Sequence, residues 1–193
     1  MRTISTSVLF SFQQLLSMIC GLGLAWALQS PALAQEAPDV FMQRLSSDML
    51  DTVRKDPALK AGDLQKIAAL VDTRLVEHIN FKRMTASAIG PAWRQATPEQ
   101  QKRLIEEFKV LLMRSYSGAL AQVKDNYTIV VKPLRAAPSD TELVVRSELR
   151  GGTEPVAIDY RLEKTPGEGA GWKIFDLNVL GIWLVENYRS QFS

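Results

Sequence analysis

The sequence has a single cysteine, Cys20, and it lies in an uncharged amino-terminal stretch. If that stretch is cut away, the remaining chain can form no disulfide, thiol nucleophile or thiolate metal site. It has a single histidine, His78, beside Glu77 at the end of a helical pattern, where a solvated surface position is expected. Zinc needs three or four converging ligands, and none converge by spacing, so no metal or cofactor is expected. G-x-S-x-G, the P-loop and G-x-G-x-x-G are all missing. Charge of one sign is scarce too. The 23 basic and 21 acidic residues leave a formal charge of +2, which excludes a generally basic nucleic-acid binder. No repeat or low-complexity run occurs. With 46% hydrophobic and 23% charged residues, disorder is excluded as well.

The first 34 residues read as an export signal. Arg2 is the only charge before Glu36, and Leu15 to Leu28 form an apolar run too short for a membrane span. Pro31-Ala32-Leu33-Ala34 is an A-x-A cleavage pattern. Cleavage after Ala34 is expected, with an uncleaved anchor as the alternative. The mature chain, residues 35–193, is then one domain in size and long enough to bury a core.

Residues 39–54 have an apolar stripe at Phe41, Leu45, Met49 and Val53, the spacing of a helix that Asp56-Pro57 ends. Asp63 can cap a second helix with the stripe Leu64, Ile67, Leu70, Val71 and Leu75. A third helix runs from Phe81 to Ile89, closed by Gly90-Pro91. Thr97-Pro98-Glu99-Gln100 is a capping-box signature with proline at N1. Behind it, Leu104, Phe108, Leu111, Leu112, Tyr116 and Leu120 predict one long helix to about Gln122. The period then falls from 3.6 to 2. Strands are predicted at 127–131, 142–149, 155–163 and 172–179, with turns at Gly151-Gly152 and Pro166 to Gly169. Val156, Ile158, Tyr160 and Leu162 point inward. Both parities of 172–179 carry apolar residues, so its inner face stays open. A terminal helix is predicted over 182–192.

Helices over 36–122 followed by a mainly antiparallel sheet over 126–179 make an α+β fold. A strongly curved sheet closed by helices forms a cone of the NTF2-like kind, with an apolar cavity between the long helix and the sheet. Carboxylate pairs such as Glu106-Glu107 lie on solvated helical faces. Asp176, between Phe175 and Leu177 in a strand expected to be half buried, is the carboxylate of most interest. A carboxylate in an apolar cone can act as a proton acceptor, so an isomerase-like enzyme using Asp176 or Tyr160 is one alternative. A solvent-facing or turn-bonded aspartate is the simpler reading, and no catalytic activity is expected. A periplasmic adaptor or chaperone with an apolar groove is a second alternative.

Two distant stretches resemble one family. The first is Asn80-Phe81-Lys82-Arg83-Met84, Gly90, Trp93 to Gln101, Glu107-Phe108, Leu111-Leu112 and Arg114-Ser115-Tyr116. The second is Tyr160-Arg161-Leu162, Gly171-Trp172-Lys173-Ile174, Asp176, Gly181-Ile182, Leu184-Val185, Asn187-Tyr188-Arg189 and Phe192. Together they resemble the MlaC, or toluene-tolerance, family of periplasmic phospholipid carriers. Pro91, Trp183 and the Ile79-Asn80 lead-in depart from its pattern.

The resemblance implies a carrier in the periplasm of a Gram-negative bacterium, moving phospholipid between an outer-membrane lipoprotein–porin complex and an inner-membrane ABC transporter, and so maintaining outer-membrane asymmetry. Phospholipid is then cargo rather than cofactor, and a monomer without nucleic acid is expected. Two acyl chains of roughly 15 methylenes each represent about 24 kcal/mol against water. That is close to the ceiling for non-covalent affinity, so a carrier needs a deep, dry cavity. Met84, Phe108, Leu111, Leu112, Tyr116 and Leu120 are expected on the helical walls, Val145, Ile158 and Tyr160 on the sheet, and Val179, Ile182, Val185 and Tyr188 closing the space. Lys82, Arg83 and Arg94 are expected as docking charges, with an Arg94–Glu99 pair as the local alternative. Trp183 is expected to point outward at the entry to the terminal helix.

Overall fold

A computed structural model describes residues 36–192. The expected signal segment, residues 1–34, lies outside them. The first helix, α1, spans Pro38–Lys55, with proline in its first turn, Asp39 at its positive end and Arg54 and Lys55 at its negative end. Asp56 is extended and ends it. The Asp56 carboxylate then accepts from the backbone N–H groups of Ala58 (2.9 Å) and Leu59 (3.3 Å), which starts a short helix, α2, Pro57–Lys60. The sequence pattern did not predict that extra turn.

Asp63 caps α3, Leu64–Leu70, through the Gln65 and Lys66 N–H groups. The α3 pattern runs on as a π-helical turn, Val71–Leu75, and a 3-10 turn, Val76–His78. Helix α4, Phe81–Ile89, is capped by Asn80, whose side-chain oxygen accepts from Arg83 N–H at 2.9 Å. It stops at Gly90, whose φ of +71° suits glycine. The long helix α5 spans Pro98–Leu120 and carries the predicted capping box in full. Thr97 Oγ1 accepts from Gln100 N–H, and Gln100 Oε1 accepts from Thr97 N–H.

The sheet is a five-stranded antiparallel meander in the order β1-β2-β3-β4-β5. Its strands are β1 Thr128–Val131, β2 Glu142–Arg150, β3 Val156–Lys164, β4 Trp172–Val179 and β5 Ile182–Trp183. The last pair corrects the expected terminal helix. Ile182 and Trp183 pair with Val179 and Asn178, so α6 begins two residues later, at Leu184–Phe192.

A bulge resolves the double parity of β4. Leu162 pairs with Ile174 and Arg161 with Asp176, which leaves Phe175 as an extra residue. One inserted residue reverses the alternation. Ile174 before the bulge and Leu177 after it therefore both face the helices. Asp176 pairs with Arg161 instead.

Two stretches of the sheet margin, along β1 and along the first half of β4, are capped by other means. Beyond β4, the Asn80 N–H donates to Ile174 O at 2.8 Å. Beyond β1, the Gln43 side chain of α1 donates to Ile129 O (3.0 Å) and accepts from Val131 N–H (2.9 Å). One amide group thus takes the place of a neighbouring strand on that edge.

The core lies under α1, where Phe41, Met42 and Leu45 pack on Val145, Tyr160, Leu162, Trp172 and Ile174. A second cluster joins α4, α5 and α6 through Met84, Ala88, Phe108, Leu184, Val185 and Tyr188. A third ties Val53, Leu59 and Ile67 to Met113 and Leu120. Among the described residues, no helix is long and apolar enough to cross a membrane.

Candidate functional site

The three clusters surround a cavity of about 460 Å³, within the size range of small-molecule sites. It lies between α5 and the sheet, with α1 and α3 as further walls. Met42, Leu45, Met49, Leu50 and Val53 line it from α1, and Ile67, Val71 and Leu75 from α3 and its π-helical extension. Ile79, Phe81 and Met84 come from the α4 segment, and Leu112, Met113, Tyr116 and Leu120 from α5. Ile129, Leu149, Ile158, Tyr160, Ile174 and Leu177 come from the sheet, and Leu184 from α6.

The polar groups on this wall are few, and most have partners. Tyr160 Oη lies 3.2 Å from Ser46 Oγ. Burial raises the phenol's pKa, although the Ser46 and Ser147 hydroxyls oppose it. Lys109 Nζ donates to Asp72 Oδ1 (2.9 Å) and Glu106 Oε2 (3.2 Å). Burial pulls its pKa down, but these carboxylates outweigh burial and hold the ammonium charged. Tyr116, 41% exposed, is the lining residue most open to solvent and marks the mouth. All four methionines of the described residues, Met42, Met49, Met84 and Met113, line the cavity. Methionine is the most adaptable apolar side chain, and it suits a wall whose contents vary in shape.

The structure brings Met84, Leu112, Tyr116, Leu120, Ile158 and Tyr160 together on the wall as a group. It places the other expected residues elsewhere. Val145 is fully buried beneath α1 and packed against protein. Phe108, Leu111, Val185 and Tyr188 belong to the second cluster, because α6 folds back along α4 and α5 beside the cavity rather than across it. There, the Phe108 and Tyr188 rings meet edge-on at 5.3 Å, and Tyr188 Oη lies 3.1 Å from Ser115 Oγ. Val179 and Ile182 are paired at the β4–β5 margin of the sheet.

The expected docking charges also separate. Arg83 donates to Glu163 (2.6 Å) and Glu142 (2.6 Å), and its guanidinium lies 3.5 Å from the centre of the Phe175 ring. It clamps α4 to β2 and β3 and is committed within the fold. Lys82 and Arg94 are exposed, and no ion pair joins Arg94 to Glu99. Trp183 lies outside the cavity, half-buried, with the Arg161 guanidinium 3.9 Å from its ring centre.

Asp176 is 1% exposed and off the cavity wall. It accepts from Leu177 N–H (2.8 Å), Val185 N–H (3.0 Å) and Arg161 (2.9 Å), and so ties the start of α6 to β4. His78 is less solvated than expected. Its side chain is 16% exposed and meets the Phe41 ring edge-on at 5.5 Å.

The α1 wall was the main omission of the sequence reading. Its signal was present, since Met42, Leu45, Met49, Leu50 and Val53 widen the Phe41 stripe into a broad apolar face. One sheet was not enough to cover that face. The arrangement offers an apolar wall rich in methionine, with the Lys109 charge paired, which is suited to holding long hydrocarbon chains.

Comparison with known proteins agrees with this geometry. Residues 43–193 match the family model described as MlaC protein. The toluene tolerance protein ttg2D of Pseudomonas putida is 34% identical over 100 residues, covering 52% of this chain and 45% of that protein. The chain thus spans somewhat under half the length of that curated relative. A phospholipid-binding protein from Ralstonia solanacearum, solved in complex with a phospholipid, is 48% identical with a TM-score of 0.73, covering 80% of this chain and 84% of that one.

Proposed function

From the premise that this chain belongs to the MlaC family, we propose that it is a periplasmic phospholipid carrier. In this reading it is exported by a cleaved signal and shuttles lipid between an outer-membrane lipoprotein–porin complex and an inner-membrane ABC transporter. The observation that carries the reading is the apolar cavity of about 460 Å³ between α5 and the sheet. Acyl chains are insoluble because each buried methylene is worth about 0.8 kcal/mol, and this wall offers them the same environment as a bilayer. The headgroup stays at the Tyr116 mouth, where water reaches it. The chain carries no nucleotide motif, so net direction comes from the ATPase of a partner.

Docking falls to Lys82 and Arg94, the exposed members of the expected set. A shuttle must release its partners, so a small polar contact serves better than a large apolar one. Lipid extraction and mass spectrometry of the purified mature protein test the reading. One phospholipid per chain or more is expected. A protein that folds and binds no lipid from vesicles would overturn it.

A further inference from the structure

The β4–β5 turn carries two features that the fold does not require. Val179 pairs with Ile182, so Leu180 and Gly181 alone form the loop. Their φ values are +53° and +87°, the left-handed pair that two-residue hairpins need and that Asn-Gly supplies at least cost. Among the described residues, Leu180 is the only non-glycine with positive φ. A leucine there is strained, and it is also 67% exposed, with Ile182 at 62%. The loop is rigid nonetheless: Leu180 N–H donates to Ala157 O (3.1 Å) and Gly181 N–H to Asn178 Oδ1 (2.9 Å).

The tip lies beside the Ile158 end of the cavity. Ile182 pairs with Val179, and Val179 pairs with Ile158 on the cavity wall. Helix α5 ends at Leu120 and leads into β1, whose Ile129 pairs with Leu149, which in turn pairs with Val156 at the start of β3. The Tyr116 end of α5 and the β4–β5 tip therefore lie at the same end of the sheet. An apolar path leads from Ile158 over Val179 to Ile182 and Leu180.

We propose that the Leu180–Ile182 tip is a membrane finger, which inserts among the headgroups of a phospholipid bilayer and sets the cavity mouth against its surface. The inference rests on the carrier reading and names the lipid surface as what the mouth meets. Two protruding side chains bury far less than the roughly 1,000 Å² that a specific protein contact needs. They offer no groove, and the strand edge beside them, β5, is only the two residues Ile182–Trp183. A bilayer needs no complementary shape, and an interface rewards the apolar tip directly.

The test compares wild-type mature protein with Leu180→Asn and with Leu180→Asn/Ile182→Thr. Each is floated with vesicles of phosphatidylethanolamine and phosphatidylglycerol, and each is assayed for uptake of fluorescent phospholipid from those vesicles. Wild type is expected to co-float. The double variant is expected to lose about tenfold in bound fraction and uptake rate, with its purified lipid content unchanged. Leu180→Asn is expected to melt no lower than wild type, because asparagine relieves the turn. Equal flotation and uptake by the double variant would overturn the finger. So would a wild type that takes up lipid only with a partner protein present, which would assign the tip to that partner. A wild type with no lipid in any assay would instead overturn the carrier reading itself.

Discussion

Helices α1 and α5 are both long and amphipathic and both border the cavity, yet protein covers their apolar faces to different degrees. Helix α1 lies on the sheet, which covers Phe41 fully and leaves Met42, Leu45 and Val53 buried even where they border the cavity. Helix α5 is longer, at 23 residues, but buries only Phe108 and Lys109. Its Leu112, Met113, Tyr116 and Leu120 face the cavity instead. Helix α1 meets the sheet directly, whereas α5 packs on α3 and α4, which hold it away. An apolar stripe thus states that a helix must be covered, without stating whether protein or cargo covers it.

The largest effect expected from breaking this contrast is on the α1 side. Phe41→Ala should cost about 3–5 kcal/mol, because close-packed neighbours leave a cavity when a ring is removed. A denaturant midpoint measures it. Ile158→Asp comes next. A carboxylate on the cavity wall meets desolvation and should empty the site, while water entering from the mouth limits the loss of stability to about 1–3 kcal/mol. The variant should fold, by circular dichroism, and yield little phospholipid on extraction. A variant that only unfolds would move Ile158 from the wall to the core.

Leu112→Ala should be milder still, at about 1 kcal/mol in delipidated protein, since one side of Leu112 already faces a void. A cost equal to that of Phe41→Ala would mean that the α5 side is as tightly packed as the α1 side. The smallest effect concerns pH. Burial against Phe41 lowers the His78 pKa below its ordinary 6.5, with Arg44 adding to this and Glu77 and Glu36 opposing it. The unfolded chain therefore binds the proton first. The neutral imidazole's contribution is fully present above pH 6.5 and declines as pH falls below it. His78→Gln should flatten that part of a stability-against-pH curve.

Local chemistry was the most legible part of the sequence. Asp63, Thr97 and Gly90 each act within a few residues; the helices bounded by Gly90 and Thr97 were predicted to within about two residues, and Asp63 marked the start of α3, whose predicted stripe to Leu75 runs past its end at Leu70. The meander followed from turn signals for the same reason. The bulge at Phe175 was not legible, because alternation cannot say which of two apolar parities is interrupted. The site divided along the same line. Ile158 and Tyr160 were readable from strand parity. Phe108, Leu111, Val185 and Tyr188 share the periodicity of true wall residues, and their placement depends on α6 folding back along α5. Arg83 looked like a surface charge because Glu142 and Glu163, which it binds, are more than 50 residues away in sequence.

The Gln43 amide on β1 has a consequence for how the chain matures. The plug is in place only once α1 has docked, and α1 stands some 85 residues before the strand it closes. Until then, β1 presents an open ladder of donors and acceptors to any other nascent chain. Gln43→Ala should therefore leave the finished protein's cavity intact and lower its refolding yield as protein concentration rises. The hazard falls in the interval between pairing of the sheet and docking of the helix, when that edge is open to other unfolded chains.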